Sequence, residues 1–289
     1  MRRFRQAGID PRKKLGQNFL IDLNLHDLLF RSAQLQEGDV VLEVGTGTGA
    51  LTMAMAEQAT AVVTVELDPA LFALAGEQLA ELPNVEMLHT DVLKNKNRIN
   101  PMVLEAIERH LAAGPDRRFK LAANLPYNIA TPIITNLLAL DRSPVSMTVT
   151  IQKELGDRIV ARPGTKDYGA LSIWVQSQAQ AEIVRIMPPS VFWPRPKVDS
   201  AIVHIELDEA RRNQIPDRAF FQQFVRSMFF HRRKFLRSVL ISATKNQLEK
   251  PDVDEIMNQL GLDATARAEQ LDVSSMLRLA DTVRTRLGS

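Results

Sequence analysis

Short apolar runs alternate with segments of helical periodicity over most of the chain. The first clear run covers residues 40–44 and leads into a glycine-rich turn, after which residues 50–57 show helical periodicity. Apolar runs of this length are typical of buried strands, and their alternation with helices indicates a mostly parallel, doubly wound sheet. The pattern therefore predicts an α/β domain with a Rossmann-like sheet. The other apolar runs lie at residues 61–65, 85–88, 119–123, 146–151, 182–187 and 198–207.

The pattern changes after Asp208, where apolar residues recur at helical spacing and no further strand is predicted. Such a stripe is typical of helices that pack against one another. We therefore divide the chain into a basic N-terminal arm at residues 1–14, an α/β domain at residues 15–207 and a small all-helical domain at residues 208–289. The stripe comprises Phe220, Phe221, Phe224, Met228, Leu236, Val239 and Leu240.

Composition narrows the possible classes of protein. Of the 289 residues 45% are hydrophobic and none is cysteine, which excludes disulfides, thiolate metal sites and cysteine nucleophiles. None of the five histidines has ligand spacing with another, so we expect no metal site. The uncharged run at residues 121–140 contains prolines and asparagines, and we expect it in the core, not in a membrane. The missing cysteines and the lack of a secretory signal favour a cytoplasmic protein.

Charge is distributed unevenly along the chain. The formal net charge is only +2, but residues 1–14 carry a net charge of +5 and residues 211–250 a net charge of +8. Basic segments attached to a near-neutral body are typical of proteins that bind a polyanion such as a nucleic acid. A solvated helix face and a disordered tail remain an alternative interpretation of the two segments.

The glycine-rich turn predicts a nucleotide site at the end of the first strand. Gly45, Gly47 and Gly49 let the backbone turn sharply and approach a ligand closely, while the helix that follows offers free N–H groups. A glycine turn alone is a weak signal. Its interpretation depends on the acidic residues around it.

Three acids lie at or near the ends of three consecutive predicted strands. Glu43 precedes the glycines, Glu66 ends the second strand and Asp91 follows the third. A carboxylate at the tip of the second strand can accept hydrogen bonds from ribose hydroxyls, and Asp91 can hold an adenine amine. With its leading acid, the pattern E-x-G-x-G-x-G resembles the first motif of class I S-adenosylmethionine-dependent methyltransferases. Nicotinamide enzymes usually show G-x-G-x-x-G without that acid.

The fourth predicted strand ends in the tetrapeptide N-L-P-Y at residues 124–127. The exocyclic amine of adenine is a poor nucleophile because its lone pair is delocalised into the ring. The side-chain oxygen of Asn124 and the backbone carbonyl of Leu125 can each accept one amine hydrogen, and Tyr127 can stack on the base. The residue types therefore predict an adenine N-methyltransferase. A turn before a helix that starts at Thr131-Pro132 would have the same sequence, and both interpretations can hold.

With this tetrapeptide the chain resembles the small-subunit ribosomal RNA adenine N,N-dimethyltransferases of the kasugamycin-resistance type. Three further stretches agree with that family: K-L-G-Q-N-F-L at residues 14–20, F-x-P-x-P-K-V-D-S at residues 192–200 and R-R-K at residues 232–234. The matching motifs extend from residue 14 to about residue 240, so the resemblance covers most of the chain. It implies S-adenosyl-L-methionine as the cofactor and a methyltransferase sheet as the fold.

The resemblance also implies roles for individual residues. The family's catalytic residues would be Asn124, Leu125, Tyr127 and Phe192, with Phe192 closing the target base against Tyr127. Its cofactor-binding residues would be Asn18, Leu20, Gly45, Gly47, Gly49, Glu66, Asp91 and Asn124. From the charge pattern and the R-R-K motif we expect RNA contacts from Arg12, Lys13, Lys14, Arg232, Arg233, Lys234 and Arg237.

The implied reaction is the dimethylation of two adjacent adenines near the 3′ end of small-subunit rRNA, on a pre-ribosomal particle and by a monomeric enzyme. An adenine methyltransferase acting on large-subunit rRNA or DNA would use the same tetrapeptide, and only RNA offers the 2′-hydroxyl. A non-catalytic RNA-binding assembly or transcription factor with this fold is the alternative of a different class. The intact Glu66, Asn124 and Tyr127 argue against a pure loss of catalysis, although an assembly role can coexist with it.

One stretch departs from the family. Residues 95–118 are longer than the family leads us to expect and contain a helical pattern at residues 102–111. We expect this insertion to decorate the rim of the RNA or cofactor cleft.

Overall fold

The computed structural model describes residues 16–231, 234–244, 247–263 and 265–288. The strands in these residues are β1 Phe19–Leu20, β2 Asp39–Val44, β3 Ala61–Glu66, β4 Val85–His89, β5 Leu93–Asn95, β6 Arg98–Ile99, β7 Arg118–Asn124, β8 Ser146–Gln152, β9 Ala179–Met187, β10 Phe192–Trp193 and β11 Ser200–Leu207.

Seven of these strands form one sheet in the order β4-β3-β2-β7-β8-β11-β9. The pairs from β4 through to β8 are all parallel, whereas β11 is antiparallel to β8. The short strands form two separate pairs, β1 with β10 and β5 with β6. The predicted mostly parallel, doubly wound sheet is confirmed, and each of its strands coincides with a predicted apolar run.

Helices connect the strands and make up the C-terminal part of the chain. They are α1 Leu23–Ser32, α2 Ala50–Ala56, α3 Pro69–Leu79, α4 Pro101–Ala112, α5 Ala130–Ala139, α6 Lys153–Ile159, α7 Ala170–Gln176, α8 Glu209–Arg212, α9 Arg218–Met228, α10 Leu236–Ala243, α11 Lys250–Gln259 and α12 Val273–Leu287. The predicted C-terminal helical domain is confirmed, since no strand follows β11 among the described residues. None of the helices in the described ranges is long and apolar enough to cross a membrane.

The core lies on both faces of the central strands. Consecutive residues of β2 are fully buried, so helices cover the sheet on both sides, as expected for parallel strands. On one face Leu29 of α1 and Met55 of α2 pack with Val41 and Val62 of the sheet. The carboxyl ends of β2, β3, β4 and β7 consequently meet at a single edge, where ligands bind in folds of this type.

The stretch at residues 95–118 has a different place from the one we expected. Helix α4 begins after Asn100, whose side chain accepts from the N–H of Met102, and it packs against β2, β3 and β7. Its residues Val103 and Ile107 are almost fully buried. The expectation that this insertion decorates the rim of a cleft is wrong for the helix, because its apolar stripe covers the sheet.

Two predicted helix starts have different outcomes. Asp68 caps α3 as predicted, and its side chain accepts from the N–H groups of Ala70 and Leu71. Helix α5 begins at Ala130, one residue before the predicted cap at Thr131, and has no side-chain cap. The residue at the N-cap position is Ile129, whose side chain has no hydrogen-bonding group.

Packing divides the chain into two compact units. The first comprises residues up to Gly156 together with Glu182–Glu206, and the second comprises Asp157–Ala181 together with Leu207–Ser289. The chain thus enters the helical unit twice, and residues 157–181 lie outside the unit to which the boundary at residue 207 assigns them. Within the helical unit, Trp174 of α7 packs against Phe221 of α9.

Candidate active site

The glycine turn after β2 is held by its own backbone and by a buried acid. Gly47 has a positive φ of 58°, and a Cβ at this position would lie 3.3 Å from the ring of Phe19. The Gly47 N–H donates to Oε2 of Glu66 at 3.0 Å. Gly49, with a φ of 79°, faces the side chain of Leu79 instead of the ligand side. The turn needs both glycines, one for the close approach to Phe19 and one for packing.

Glu66 ends β3 with its carboxylate in a cradle of N–H groups. Besides Gly47, the N–H groups of Leu67 and Asp68 donate to Oε1 at 3.0 and 2.9 Å. The residue is only 5% exposed, and burial raises the pKa of its carboxyl group, opposed by these hydrogen bonds. The cradle fixes both oxygens at the sheet edge, where one side of the carboxylate lines a cavity.

This cavity of about 250 Å³ is the candidate cofactor pocket. It brings together residues from the N-terminal segment, the glycine turn and the ends of β3, β4 and β7. Six of the residues predicted to bind the cofactor line it: Asn18, Gly45, Gly47, Glu66, Asp91 and Asn124. Leu20 and Gly49 do not. Leu20 pairs with Phe192 in the ladder between β1 and β10 and lines a smaller neighbouring cavity.

Glu43 holds the glycine turn in place through hydrogen bonds with threonine hydroxyls, and it does not line the cofactor pocket. Its Oε2 accepts from the hydroxyls of Thr52 and Thr64 at 2.5 and 2.7 Å. Thr64 also shares a 2.7 Å hydrogen bond with Thr46 inside the turn. Burial raises the pKa of Glu43 to about 8, so at neutral pH this group is mostly protonated. The leading acid of the motif therefore ties the turn to strand β3.

Asn124, at the end of β7, has one satisfied side-chain group and one unsatisfied. Its Nδ2 donates to the backbone oxygen of Asn18 at 2.8 Å, which fixes the orientation of the amide. Its Oδ1 is buried and has no hydrogen-bond partner. Buried acceptors without a partner are rare because they lose their hydration without compensation. An oriented, unpaired acceptor beside a pocket can receive a hydrogen bond from a ligand's amine.

The backbone after Asn124 is fixed as well. The N–H of Leu125 donates to the carbonyl of Thr150 at 3.1 Å, and the N–H of Ile129 donates to that of Pro126 at 3.1 Å. The tetrapeptide is thus a closed turn between β7 and α5. Asn124, Leu125 and Pro126 all contribute to the pocket wall.

The two aromatic residues predicted to hold the target base lie outside the cofactor pocket. Tyr127 is half-buried, and its hydroxyl shares a 2.5 Å hydrogen bond with the hydroxyl of Ser200. Phe192 is 2% exposed and packs in the core with Leu29 and Met55. Neither residue lines the cofactor pocket. Stacking of Phe192 on a base stays a prediction, because in this structure its ring is covered by the core.

Several pocket residues were missing from the sequence-based set. Gln17, Thr90 and Asn128 add polar groups to the wall, and Gly16 lies beside them. Gly16 has a φ of 66°, and a Cβ here would lie 2.5 Å from Oδ1 of Asn128. The signal for Gly16 and Gln17 was present, since both lie in the motif at residues 14–20. Asn128 directly follows the tetrapeptide.

Only two of the seven predicted RNA-binding residues lie in the part of the chain that the structure describes. Arg12, Lys13, Lys14, Arg232 and Arg233 lie outside the described residues. Lys234 is exposed. Arg237 forms a two-pronged ion pair with Asp254 at 2.5 and 2.7 Å, which raises the pKa of the guanidinium group.

The described ranges contain no group of three or more histidines and acids that could hold a metal ion. Their side chains fit a nucleoside cofactor better. The pocket offers a cradled carboxylate at a strand end, a second acid at Asp91 and an aromatic ring at Phe19. These are the groups that can bind ribose hydroxyls, an amine and an adenine ring.

Comparison with known proteins identifies the family. Residues 9–284 match the sequence profile of the family described as "Ribosomal RNA adenine dimethylase". The chain belongs to this family. The resemblance noted from the sequence is thereby confirmed, and with it the enzyme class, a methyltransferase that uses S-adenosyl-L-methionine.

Relatives within the dimethylase family match the chain over almost its whole length. A protein of Alkaliphilus oremlandii named "Ribosomal RNA small subunit methyltransferase A" is 40% identical over 276 residues, which cover 95% of this chain and 92% of that protein. A protein of the same name from Clostridium acetobutylicum is 36% identical over 271 residues, covering 94% of this chain and 93% of that protein.

Solved structures of similar fold lead to the same architecture. A dimethyladenosine transferase from Plasmodium falciparum superposes with a TM-score of 0.76 at 23% identity, covering 93% of this chain and 98% of that one. The 23S rRNA methyltransferase ErmE superposes with a TM-score of 0.61, also at 23% identity, covering 94% of this chain and 100% of that one. At this identity the likeness concerns the fold.

Proposed function

We propose that this protein transfers methyl groups from S-adenosyl-L-methionine to the exocyclic amines of two adjacent adenines near the 3′ end of small-subunit rRNA. The products are dimethyladenines, and two cofactor molecules are used in turn on each base. The observation that carries the proposal is the buried, unpaired Oδ1 of Asn124 at the wall of the cofactor pocket, in a chain of the dimethylase family.

The pocket residues hold the cofactor. Glu66 accepts hydrogen bonds from the ribose hydroxyls, because its carboxylate is fixed by three N–H groups and faces the cavity. Asp91 accepts from the adenine amine. One of its oxygens already accepts from the N–H of Leu93 at 2.9 Å, which fixes the orientation of the carboxylate. When bound, the cofactor supplies a methyl group on a positively charged sulfur.

Asn124 and Leu125 act on the acceptor amine. Asn124 Oδ1 and the Leu125 carbonyl each accept one of the two amine hydrogens, so the nitrogen lone pair is withdrawn from the ring and points towards the methyl group. The amine that accepts the methyl group would become cationic. It then loses a proton without a strong general base, and the polar acceptors stabilise the positive charge as it develops.

The substrate follows from the family and its relatives. Close relatives over the whole chain carry the name of a small-subunit rRNA methyltransferase. The segment at residues 211–250 carries a net charge of +8, and its exposed basic residues, such as Lys234, are the proposed contacts to RNA phosphates. We therefore propose a pre-ribosomal small-subunit particle as the substrate, and a cytoplasmic enzyme that acts as a monomer.

The test is methylation by the purified full-length protein with labelled cofactor. Undermethylated small ribosomal subunits, large subunits and double-stranded DNA are offered separately, and the nucleic acid is digested to nucleosides. We expect dimethyladenosine, about two residues for each small subunit, and no label on the other two substrates. Label on large subunits or DNA alone would replace the proposed substrate. Tight binding to small subunits without any methylation would favour an assembly factor that retains the fold.

A further inference from the structure

Ser200 is a buried serine at the first position of β11. It pairs with Gln152 of the antiparallel strand β8, and it is completely inaccessible to solvent. The residue before it, Asp199, accepts a hydrogen bond from the N–H of Lys153 at 2.9 Å. Backbone contacts on both sides therefore fix the backbone at Ser200.

Tyr127 approaches this serine from a different part of the chain. It follows Pro126 in the turn after β7, 73 residues before Ser200, and its Oη lies 2.5 Å from Ser200 Oγ. Among the described residues Ser200 is the partner recorded for this phenol. Burial raises the pKa of Tyr127, so the phenol keeps its proton and can donate it to Ser200.

The hydrogen bond between Tyr127 and Ser200 connects the turn after β7 to strand β11. Asn124 of β7 lies opposite Thr150 of β8, and Thr150 lies opposite Ile202 of β11, two residues from Ser200. The amide of Asn124 and the hydroxyl of Ser200 are thus held by three neighbouring strands. The ring of Tyr127, whose backbone lies in the turn, is tied at its far end to the same strands.

We propose that Ser200 is a positioning residue for methyl transfer, whose hydroxyl holds the ring of Tyr127 in the orientation that stacks on the target adenine. The inference rests on the proposed function, since it requires a base to lie on Tyr127. A tyrosine ring has two side-chain torsions, and a hydrogen bond at the hydroxyl restricts both. The ring then loses little freedom when the base stacks on it, which favours the reactive orientation of the amine.

The test is a double-mutant cycle with Ser200→Ala, Tyr127→Phe and both changes together. Each single change removes the same hydrogen bond and leaves an aromatic ring at position 127. We expect each to lower the single-turnover methylation rate by about 3- to 10-fold, the range that corresponds to the net free energy of one hydrogen bond. The double variant should be no slower than either single variant. Calorimetric affinity for S-adenosyl-L-methionine should stay unchanged in all three.

Ser143→Ala is the matched control for a lost buried hydroxyl. Ser143 Oγ donates to the carbonyls of Leu137 and Leu140 at 3.0 Å, in the loop that follows α5, and does not line the pocket. We expect this variant to be less stable but to methylate at the wild-type rate. A similar loss of rate in Ser143→Ala would attribute the effect to destabilisation and overturn the inference.

Other outcomes separate the two proposals. An inactive wild-type protein would refute the proposed function itself. An active wild type with an unchanged rate in Ser200→Ala, or with rate losses that multiply in the double variant, would overturn only the role of Ser200. If Ser200→Ala also lost cofactor affinity, Tyr127→Phe would decide, and a wild-type rate in that variant would overturn the inference.

Discussion

Charged side chains in the cofactor pocket and in the basic part of the helical unit differ in their exposure and in the kind of partner that holds them. In the pocket, Glu66 is 5% exposed and accepts three backbone N–H groups. In the helical unit, the Arg237 side chain is 35% exposed and is paired with another side chain, Asp254, which is itself 47% exposed. Backbone donors cannot move away, whereas an exposed carboxylate can be exchanged for water or a phosphate.

This difference indicates that the pocket and the helical unit bind their ligands in different ways. The pocket recognises its ligand with groups whose positions the sheet fixes, so single substitutions there should have large and specific effects. We propose that the helical unit attracts RNA through several charges that are screened by salt, so each single substitution there should have a small effect. The following predictions test this contrast, beginning with the largest expected effect.

Asn124→Ala should lower the single-turnover rate of methyl transfer by about 10²- to 10³-fold, the usual loss for one polar group that stabilises a developing charge. RNA affinity should stay within a few-fold of wild type. Asn84→Ala is the control, since that asparagine donates to the carbonyls of Ala56 and Ala59 and does not line the pocket. A rate within a few-fold of wild type for Asn124→Ala would show that the unpaired oxygen does not act on the amine.

Glu66→Ala should weaken binding of S-adenosyl-L-methionine by about 10- to 100-fold, because hydrogen bonds to a charged acceptor are lost. Titration calorimetry measures this directly. The salt dependence of RNA binding should not change, since the charge lies in the pocket. Glu57→Ala removes an exposed acid at the C-terminal end of α2 and should leave cofactor affinity at the wild-type value. Unchanged affinity in Glu66→Ala would exclude this acid from cofactor binding.

The triple change Arg232→Ala, Arg233→Ala and Lys234→Ala should act on RNA binding alone. Each phosphate contact contributes about 0.7 to 0.9 to the slope of log affinity against log salt, so the slope should fall by up to about two to three. Filter binding to small subunits at several salt concentrations measures the slope. Arg142→Ala, which removes an exposed arginine paired with Glu108, is the control. An identical slope before and after the triple change would leave these residues without a role in RNA binding.

Substitution of Glu43 should have the smallest effect on methylation, and it should change how the free energy of unfolding depends on pH. Burial raises the pKa of Glu43 from 4.5 to about 8, so the folded protein keeps a proton that the unfolded chain loses above pH 4.5. Its contribution to stability is complete below pH 4.5 and is lost as the pH rises through about 8. Glu43→Gln cannot ionise, so its free energy of unfolding relative to wild type should rise across this range, by at most about 1.4 kcal/mol per pH unit.

Denaturant unfolding at a series of pH values measures the Glu43 effect. Methylation rates at neutral pH should be close to those of wild type, because the amide can accept from the same threonine hydroxyls. A difference in stability that is independent of pH would contradict a protonated Glu43.

The sequence alone was sufficient for the pocket residues at the strand ends, because strand topology determines their positions. The carboxyl ends of parallel neighbours meet at one edge, so acids and amides at the ends of predicted strands were bound to converge, as Glu66, Asp91 and Asn124 do. The partners of individual side chains were not predictable in this way. That Phe192 is covered by the core depends on how β10 packs, and that Arg237 meets Asp254 depends on the packing of two helices.

The double passage of the chain through the helical unit has a consequence for how such enzymes can be altered. Trp174 and Tyr168 precede β11, yet one packs against Phe221 and the other donates to the carbonyl of Leu271 at 3.0 Å. A truncation at residue 207 would remove Phe221 and Leu271. The buried side chains of Trp174 and Tyr168 would then be exposed to water. The helical unit is therefore not a detachable appendage. Exchanging it between relatives requires three junctions, one on each side of residues 157–181 and one after β11, so residues 157–181 and the C-terminal helices must be exchanged together.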